Sequence, residues 1–279
     1  MNRRIFLRNL SIVAGAANSV FITASSRGDA IPRDGLPVAL LIANGKYATL
    51  ENLPAPETHA QTLSRAMREV GFAAVEIKTH LSKAQLENSV KEFARVHKAA
   101  PCRLIFYAGH GCSHNNDNYL LPTDWKYDQR VPVAVGAVSV QDIASAFSDC
   151  EGTNLLIIDA CRDTLFRSDD TTIDALAIRA PDGSKGPVGQ GFVKPARLPK
   201  GTALVFSTSE NQTVWDNNPF SMLLAAHIQK TPNLSIKRLV DAVSKDIRRA
   251  TRGQIPSLYG EVNVMEICLK RVRESCLAD

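Results

Sequence analysis

Along most of the chain, fully apolar runs alternate with segments whose apolar residues recur every three or four positions. The first run, LPVALLIA (36–43), has no charged position and reads as a strand buried on both faces. A turn-rich stretch, NGKYATLENLPAP (44–56), follows it. Ala60, Leu63, Ala66, Met67 and Val70 then fall at helical spacing across 57–70, and Gly71 is a natural stop. AAVEI (73–77) predicts a second strand, and Ser82 is placed to cap a helix carrying Leu86, Val90, Phe93 and Val96. CRLIFYA (102–108) predicts the third strand. SVQDIASAFS (139–148), with Ser139 and Asp142 in capping positions, predicts a helix, and TNLLIID (153–159) a fourth strand. Residues 162–200 carry no long periodic run and read as a long mobile loop. TALVFSTS (202–209) predicts a fifth strand, helices follow at about 219–230 and 235–251, and a last short strand is expected within 262–269.

Strands that alternate with helices, each strand almost continuously apolar, predict an α/β fold. Its core is a mostly parallel sheet of about six strands, with helices on both faces. In such sheets chemistry gathers at the carboxyl ends of the strands. Two runs end there on reactive side chains: LIFYAGHG (104–111) on His110, and LLIIDACRD (155–163) on Cys161. Both residues are expected just beyond the ends of strands three and four, on one edge of the sheet.

Charge changes the picture only at the amino end. The 279 residues hold 33 Lys and Arg against 28 Asp and Glu, a net charge of +5. Arg3, Arg4 and Arg8 are the only charges in residues 1–26, so removing that segment leaves 30 basic against 28 acidic residues. The remaining basic clusters, IRRATR (247–252) and LKRVR (269–273), are interleaved with apolar residues at helical spacing and read as solvated helix faces. A nucleic-acid partner is therefore not expected. The basic start and the uncharged stretch 9–26 read as an export signal that meets a membrane only transiently. NRRIFLR (2–8) resembles a bacterial twin-arginine signal, with Asn2 where Ser or Thr is usual. A periplasmic destination follows from that reading. The six cysteines, at 102, 112, 150, 161, 268 and 276, show no C-x-x-C pair and indicate no particular disulfide.

A thiol becomes a strong nucleophile when a neighbouring imidazole takes its proton, and the imidazolium can then protonate a leaving amine. His110 and Cys161 are the candidates for these roles. The backbone N–H groups of Gly111 and Cys161 are the candidate oxyanion donors, since glycine permits close approach of backbone to substrate. Taken singly, His110 would be an ordinary loop histidine and Cys161 an inert buried thiol. A zinc site built from HGCSH (110–114) and Cys161 is the alternative metal reading, although no metal-binding spacing supports it.

The pair YAGHG and, 51 residues on, DACRD resembles the caspase-like cysteine peptidases of clan CD, family C14, and in particular the bacterial relatives of metacaspases. VALLIANGKY (38–47), NYLLPTDW (118–125) and NNPFSMLL (217–224) extend the resemblance over about 36–268. It implies a caspase-like fold and a cysteine endopeptidase with His110 as base and acid and Cys161 as nucleophile. Asp159 matches the acid that lines the primary specificity pocket, where it favours Arg or Lys before the cut.

There are departures from the family pattern. APETHAQ (55–61) puts His59 where many bacterial relatives carry a second pocket acid, and Arg162 and Asp163 replace the usual residues after the nucleophile. The resemblance also makes 162–200 an activation or processing loop. No cofactor is required; the resemblance leaves calcium activation open at SDD (168–170), although two adjacent aspartates supply few of the oxygens such a site needs. The partner expected is a protein or peptide substrate. From a different class, the altered pocket suits a caspase-like domain with little turnover that serves as a binding or scaffold module.

Overall fold

A computed structural model describes residues 35–126, 131–161, 192–208, 219–231, 233–251 and 254–261, with the backbone alone for Cys161. The export signal expected in residues 1–26, residues 162–191 of the processing loop expected over 162–200, and the strand expected within 262–269 lie outside the described residues.

Fourteen elements follow one another among these residues. They begin with β1 (Val38–Ala43), α1 (Pro56–Glu69), β2 (Ala74–Thr79), α2 (Lys83–Val96), β3 (Cys102–His114), β4 (Asp117–Leu120) and α3 (Val133–Gly136). They continue with β5 (Val138–Ser139), α4 (Val140–Ser145), β6 (Thr153–Cys161), β7 (Thr202–Phe206), α5 (Phe220–Lys230), α6 (Ile236–Ala250) and β8 (Ser257–Gly260). The sheet runs β2-β1-β3-β6-β7-β8, with β4 and β5 branching from β3. Every neighbouring pair from β2 to β7 is parallel, and β8 closes the edge antiparallel to β7.

Alternating strand residues divide between two cores, as the pleat requires. Leu41, Leu104, Phe106 and Ile157 pack under α1, α5 and α6, while Leu40, Ile42, Ile105 and Leu156 pack under α2 and α4. Burial on both faces is why these strands read as unbroken apolar runs. Each fully buried Leu or Ile contributes about 1.5–3 kcal/mol of transfer free energy.

Local chemistry sets the helix ends. Ser82 and Gln85 form a reciprocal capping box at the start of α2, so two otherwise unpaired N–H groups are satisfied. Pro56 opens α1, where its missing N–H costs nothing. The helix expected over 139–148 is shorter: Ser139 caps it, but α4 ends at Ser145. There Ser148 turns back to donate both its backbone N–H and its hydroxyl to the Ser145 carbonyl.

Two differences bear on the site. β3 does not stop at residue 108 but continues through His110 to His114, because its far half pairs antiparallel with β4. His110 and Cys161 therefore sit inside the strands rather than beyond them. The segment expected as a mobile loop is also fixed at its far end. Phe192 is buried and stacked on Phe206 at 4.5 Å. Val193 exchanges two hydrogen bonds with the Asn118 side chain, at 2.8 and 2.9 Å.

Candidate active site

His110 and Cys161 are Cα partners on the last rung of the parallel β3–β6 ladder, which starts at Cys102 and Thr153. Adjacent strands lie about 4.8 Å apart, so the fold brings the two backbones side by side. Small residues surround the rung. A Cβ on Gly109 would come within 2.6 Å of the Tyr107 hydroxyl and 2.7 Å of the Tyr47 hydroxyl, and one on Gly111 within 2.7 Å of the Phe192 ring. Both positions exclude larger side chains on steric grounds.

The His110 ring is buried, at 5% exposure, and its orientation is defined. Nε2 lies 2.8 Å from the Glu51 carbonyl oxygen, which can only accept, so Nε2 carries the proton. Nδ1 is left as the lone-pair nitrogen, buried and without a hydrogen-bond partner among the described residues. Burial lowers the imidazole pKa, and the Glu51 carbonyl partly opposes it. The ring also packs against Tyr47, with centroids 4.7 Å apart and planes tilted by 56°.

Glu51 and Tyr47 both belong to the loop between β1 and α1, which is tied down along its length. Asn44 bonds the backbone of Leu81 in both directions, and Tyr47 N–H donates to Asn52 Oδ1 at 2.8 Å. Ala48 N–H donates to the Thr123 carbonyl at 2.9 Å, and Leu53 N–H to the Gly45 carbonyl at 2.8 Å. A carbonyl presented by such a loop is as well placed to orient an imidazole as a carboxylate would be.

Asp159 is two residues upstream of Cys161 and buried at 4% exposure. The Ser221 hydroxyl, from α5, donates to its Oδ2 at 2.5 Å. His59 of α1 places Nδ1 3.5 Å from the same oxygen. Thus the two residues expected to bind substrate meet, and the histidine standing in for a second acid faces the first.

Cys112, two positions beyond His110, is buried among Tyr119, Leu121 and Trp125. Burial pushes its thiol up to about 12, so it stays protonated and unreactive at neutral pH. Among the described residues, no three His, Cys, Asp or Glu side chains gather as a metal ion would require.

The model of the caspase domain of peptidase family C14 matches residues 37–264. The chain belongs to that family. Within it, the chain is similar to human mucosa-associated lymphoid tissue lymphoma translocation protein 1, at 30% identity over 145 residues. The mouse homologue shows the same identity over the same length. The alignment covers 51% of this chain and 17% of the human protein, so the chain spans well under a quarter of the relative it matches. This caspase domain is thus a cysteine-peptidase type of domain, and a protein is the substrate such a domain implies.

Sequence reasoning did not single out Tyr47, Glu51, Tyr107 or Ser221. Glu51 acts through its carbonyl, which every residue has, so composition carries no signal for it. Tyr47 and Tyr107 did have one: each is a polar-tipped aromatic inside the quoted motifs, NGKY and YAGHG.

Proposed function

We propose that this chain is a cysteine endopeptidase that works through a His110–Cys161 dyad and an acyl-thioester intermediate. The observation that carries the reading is the state of His110: proton fixed on Nε2 by Glu51, lone pair on Nδ1, backbone in register with Cys161. Nδ1 takes the Cys161 proton, and the thiolate sulfur attacks the scissile carbonyl carbon. The tetrahedral oxyanion is held by the N–H groups of Gly111 and Cys161. Collapse breaks the C–N bond, and the imidazolium returns its proton to the leaving amine. Water then attacks the thioester carbonyl, giving its proton to Nδ1, and the Cys161 thiolate leaves.

Asp159 selects Arg or Lys before the cut by pairing with its charge. His59 competes for the same carboxylate, which makes entry of the basic side chain an exchange of partners. The leader at 1–26 sends the domain across the inner membrane, and the substrate is met there without a metal.

A fluorogenic peptide panel varying the residue before the cut, run on the chain from residue 27 and on Cys161→Ala, tests this. Cleavage after Arg or Lys that vanishes in the variant supports it; cleavage after other residues retains the dyad and overturns the role of Asp159. The Asp159 carboxylate, already held by Ser221 and His59, favours a second reading, a binding module with little turnover. In that case folded protein cleaves no peptide, and Cys161 alkylates no faster than an ordinary thiol.

A further inference from the structure

Both backbone polar groups of His110 end on tyrosine hydroxyls. Its N–H donates to Tyr47 Oη at 2.8 Å, and its carbonyl accepts from Tyr107 Oη at 2.8 Å. The two phenols come from different parts of the fold, Tyr47 from the β1–α1 loop and Tyr107 from β3 itself, and their oxygens lie 3.5 Å apart. Gly109 sits beneath both hydroxyls and makes room for them. Neither ring is exposed to bulk water: Tyr107 is fully buried and Tyr47 is 9% exposed.

Ordinary ladder geometry would hand these groups to neighbouring strands. At residue 108 it does: the Ala108 carbonyl accepts from Asn44 N–H at 2.8 Å. Two residues on, β1 has ended, and the Tyr47 hydroxyl occupies the place where its next donor or acceptor would stand. On the carbonyl side, Leu121 N–H shares the His110 oxygen at 3.0 Å with Tyr107, whose hydroxyl also reaches the Leu121 carbonyl at 2.9 Å. The phenols thus replace a missing strand at the one residue whose ring must be aimed.

We propose that Tyr47 and Tyr107 are positioning residues for His110: their hydroxyls fix its backbone, and the Tyr47 ring seals its imidazole from water. Hydroxyl and ring have separable effects. Loss of a hydroxyl frees the His110 backbone and lowers the fraction of time Nδ1 faces Cys161, while the ring's environment stays dry. Loss of the Tyr47 ring admits water, removes part of the desolvation that depresses the imidazole, and moves the acid limb of the pH profile upward. Burial also pushes the Tyr107 phenol well above its usual range, so it remains a donor at any working pH.

This rests on the dyad reading, so the readouts are chosen to separate the two. The first is the second-order rate of Cys161 alkylation by iodoacetamide, followed by mass spectrometry of its peptide from pH 5 to 9. The second is peptide cleavage, split into kcat and KM. Tyr47→Phe and Tyr107→Phe are each expected to slow alkylation and kcat about fivefold, the worth of one ordinary hydrogen bond, with KM unchanged. The double variant should lose less than the product of the two, because both act through one residue. Tyr47→Leu should in addition shift the acid limb upward.

Wild-type alkylation and kcat in a folded Tyr47→Phe protein would overturn the proposal, as would losses that merely follow a lowered Tm. Should Tyr107→Phe fail to fold, Tyr47→Phe decides alone, since it strips one hydroxyl and keeps the ring. A wild-type chain that cleaves nothing overturns the peptidase assignment and not this one, which the alkylation rates still decide.

Discussion

His110 and Cys161, 51 positions apart in the chain, are Cα partners on the last rung of the β3–β6 ladder. Parallel pairing makes that separation workable. The crossover through β4, β5 and α4 returns the chain in register, so the two runs end together at one edge of the sheet. His110 is held further by a backbone carbonyl from a third segment, Glu51.

The pH dependence follows from burial of His110. Its folded pKa is lowered, so the unfolded chain binds more protons between that value and the usual imidazole value of about 6.5. The stability this neutral histidine supports is therefore fully present above about pH 6.5 and is lost as pH falls toward the lowered folded value. Melting curves from pH 5 to 8 should show Tm declining on the acid side, with a shallower decline in His110→Gln. The acid limb of kcat/KM should likewise lie below pH 6.5, because the free base persists to lower pH.

The proposed exchange of partners at Asp159 predicts opposite effects from substitutions at Asp159 and at His59. Asp159→Asn should reduce kcat/KM for an Arg peptide by about 10- to 100-fold, the range of a charged hydrogen bond, while a neutral peptide changes little. His59→Ala should lower KM for the Arg peptide, because the incoming guanidinium no longer displaces an imidazole 3.5 Å from Oδ2. A panel with Arg, Lys, Gln and Asp before the cut reads both; a higher KM in His59→Ala would show that His59 supports the pocket.

Gly111 and Phe192 form a size pair. A Cβ at 111 would stand 2.7 Å from the Phe192 ring carbon Cζ, so Gly111→Ala should destabilise the fold by about 1–3 kcal/mol and impair turnover. Adding Phe192→Leu should recover part of both, measured by denaturant midpoint and kcat. The Ala160 side chain and the Tyr119 carbonyl, both 3.1 Å from the added atom, set the limit of that recovery.

At the opposite end of β3, Arg103 is buried and gathers acceptors. Its guanidinium donates to the carbonyls of His97, Lys98, Ala100 and Glu151, and to Asn154 Oδ1. Arg103→Met strands these groups in a dry site. The expected loss is on the order of 3 kcal/mol or more in urea unfolding, with the kcat of the remaining folded protein unchanged. A fall in kcat below the unfolding transition would mean that this end of β3 communicates with the dyad.

Much of the fold is legible in the amino-acid pattern. Apolar runs 36–43, 102–108 and 153–159 overlap β1, β3 and β6, and Ser82 caps α2 as its sequence suggests. What escaped the pattern was non-local. β8 at Ser257–Gly260 was not anticipated, because four residues bonded to β7 on one side have no period to display. The extension of β3 to His114 was missed because Ser113 and His114 pair with β4, and His110 packs on Tyr47, rather than lying under a helix layer. Phe192 and Val193 read as loop, yet Gly111 and Asn118 meet them from 81 and 75 residues away.

By itself the sequence determined the parallel α/β class and the two-sided core, and it singled out His110 and Cys161 as the candidate pair. A strand buried on both faces must be written in apolar residues, and a nucleophile must be written as itself. Tertiary structure alone decided that the Glu51 carbonyl fixes the His110 tautomer, that Tyr47 and Tyr107 hold its backbone, and that His59 faces Asp159. A carbonyl or a hydroxyl accepts from whichever donor the chain path brings within about 3 Å, and that path is set by register and packing over the whole domain.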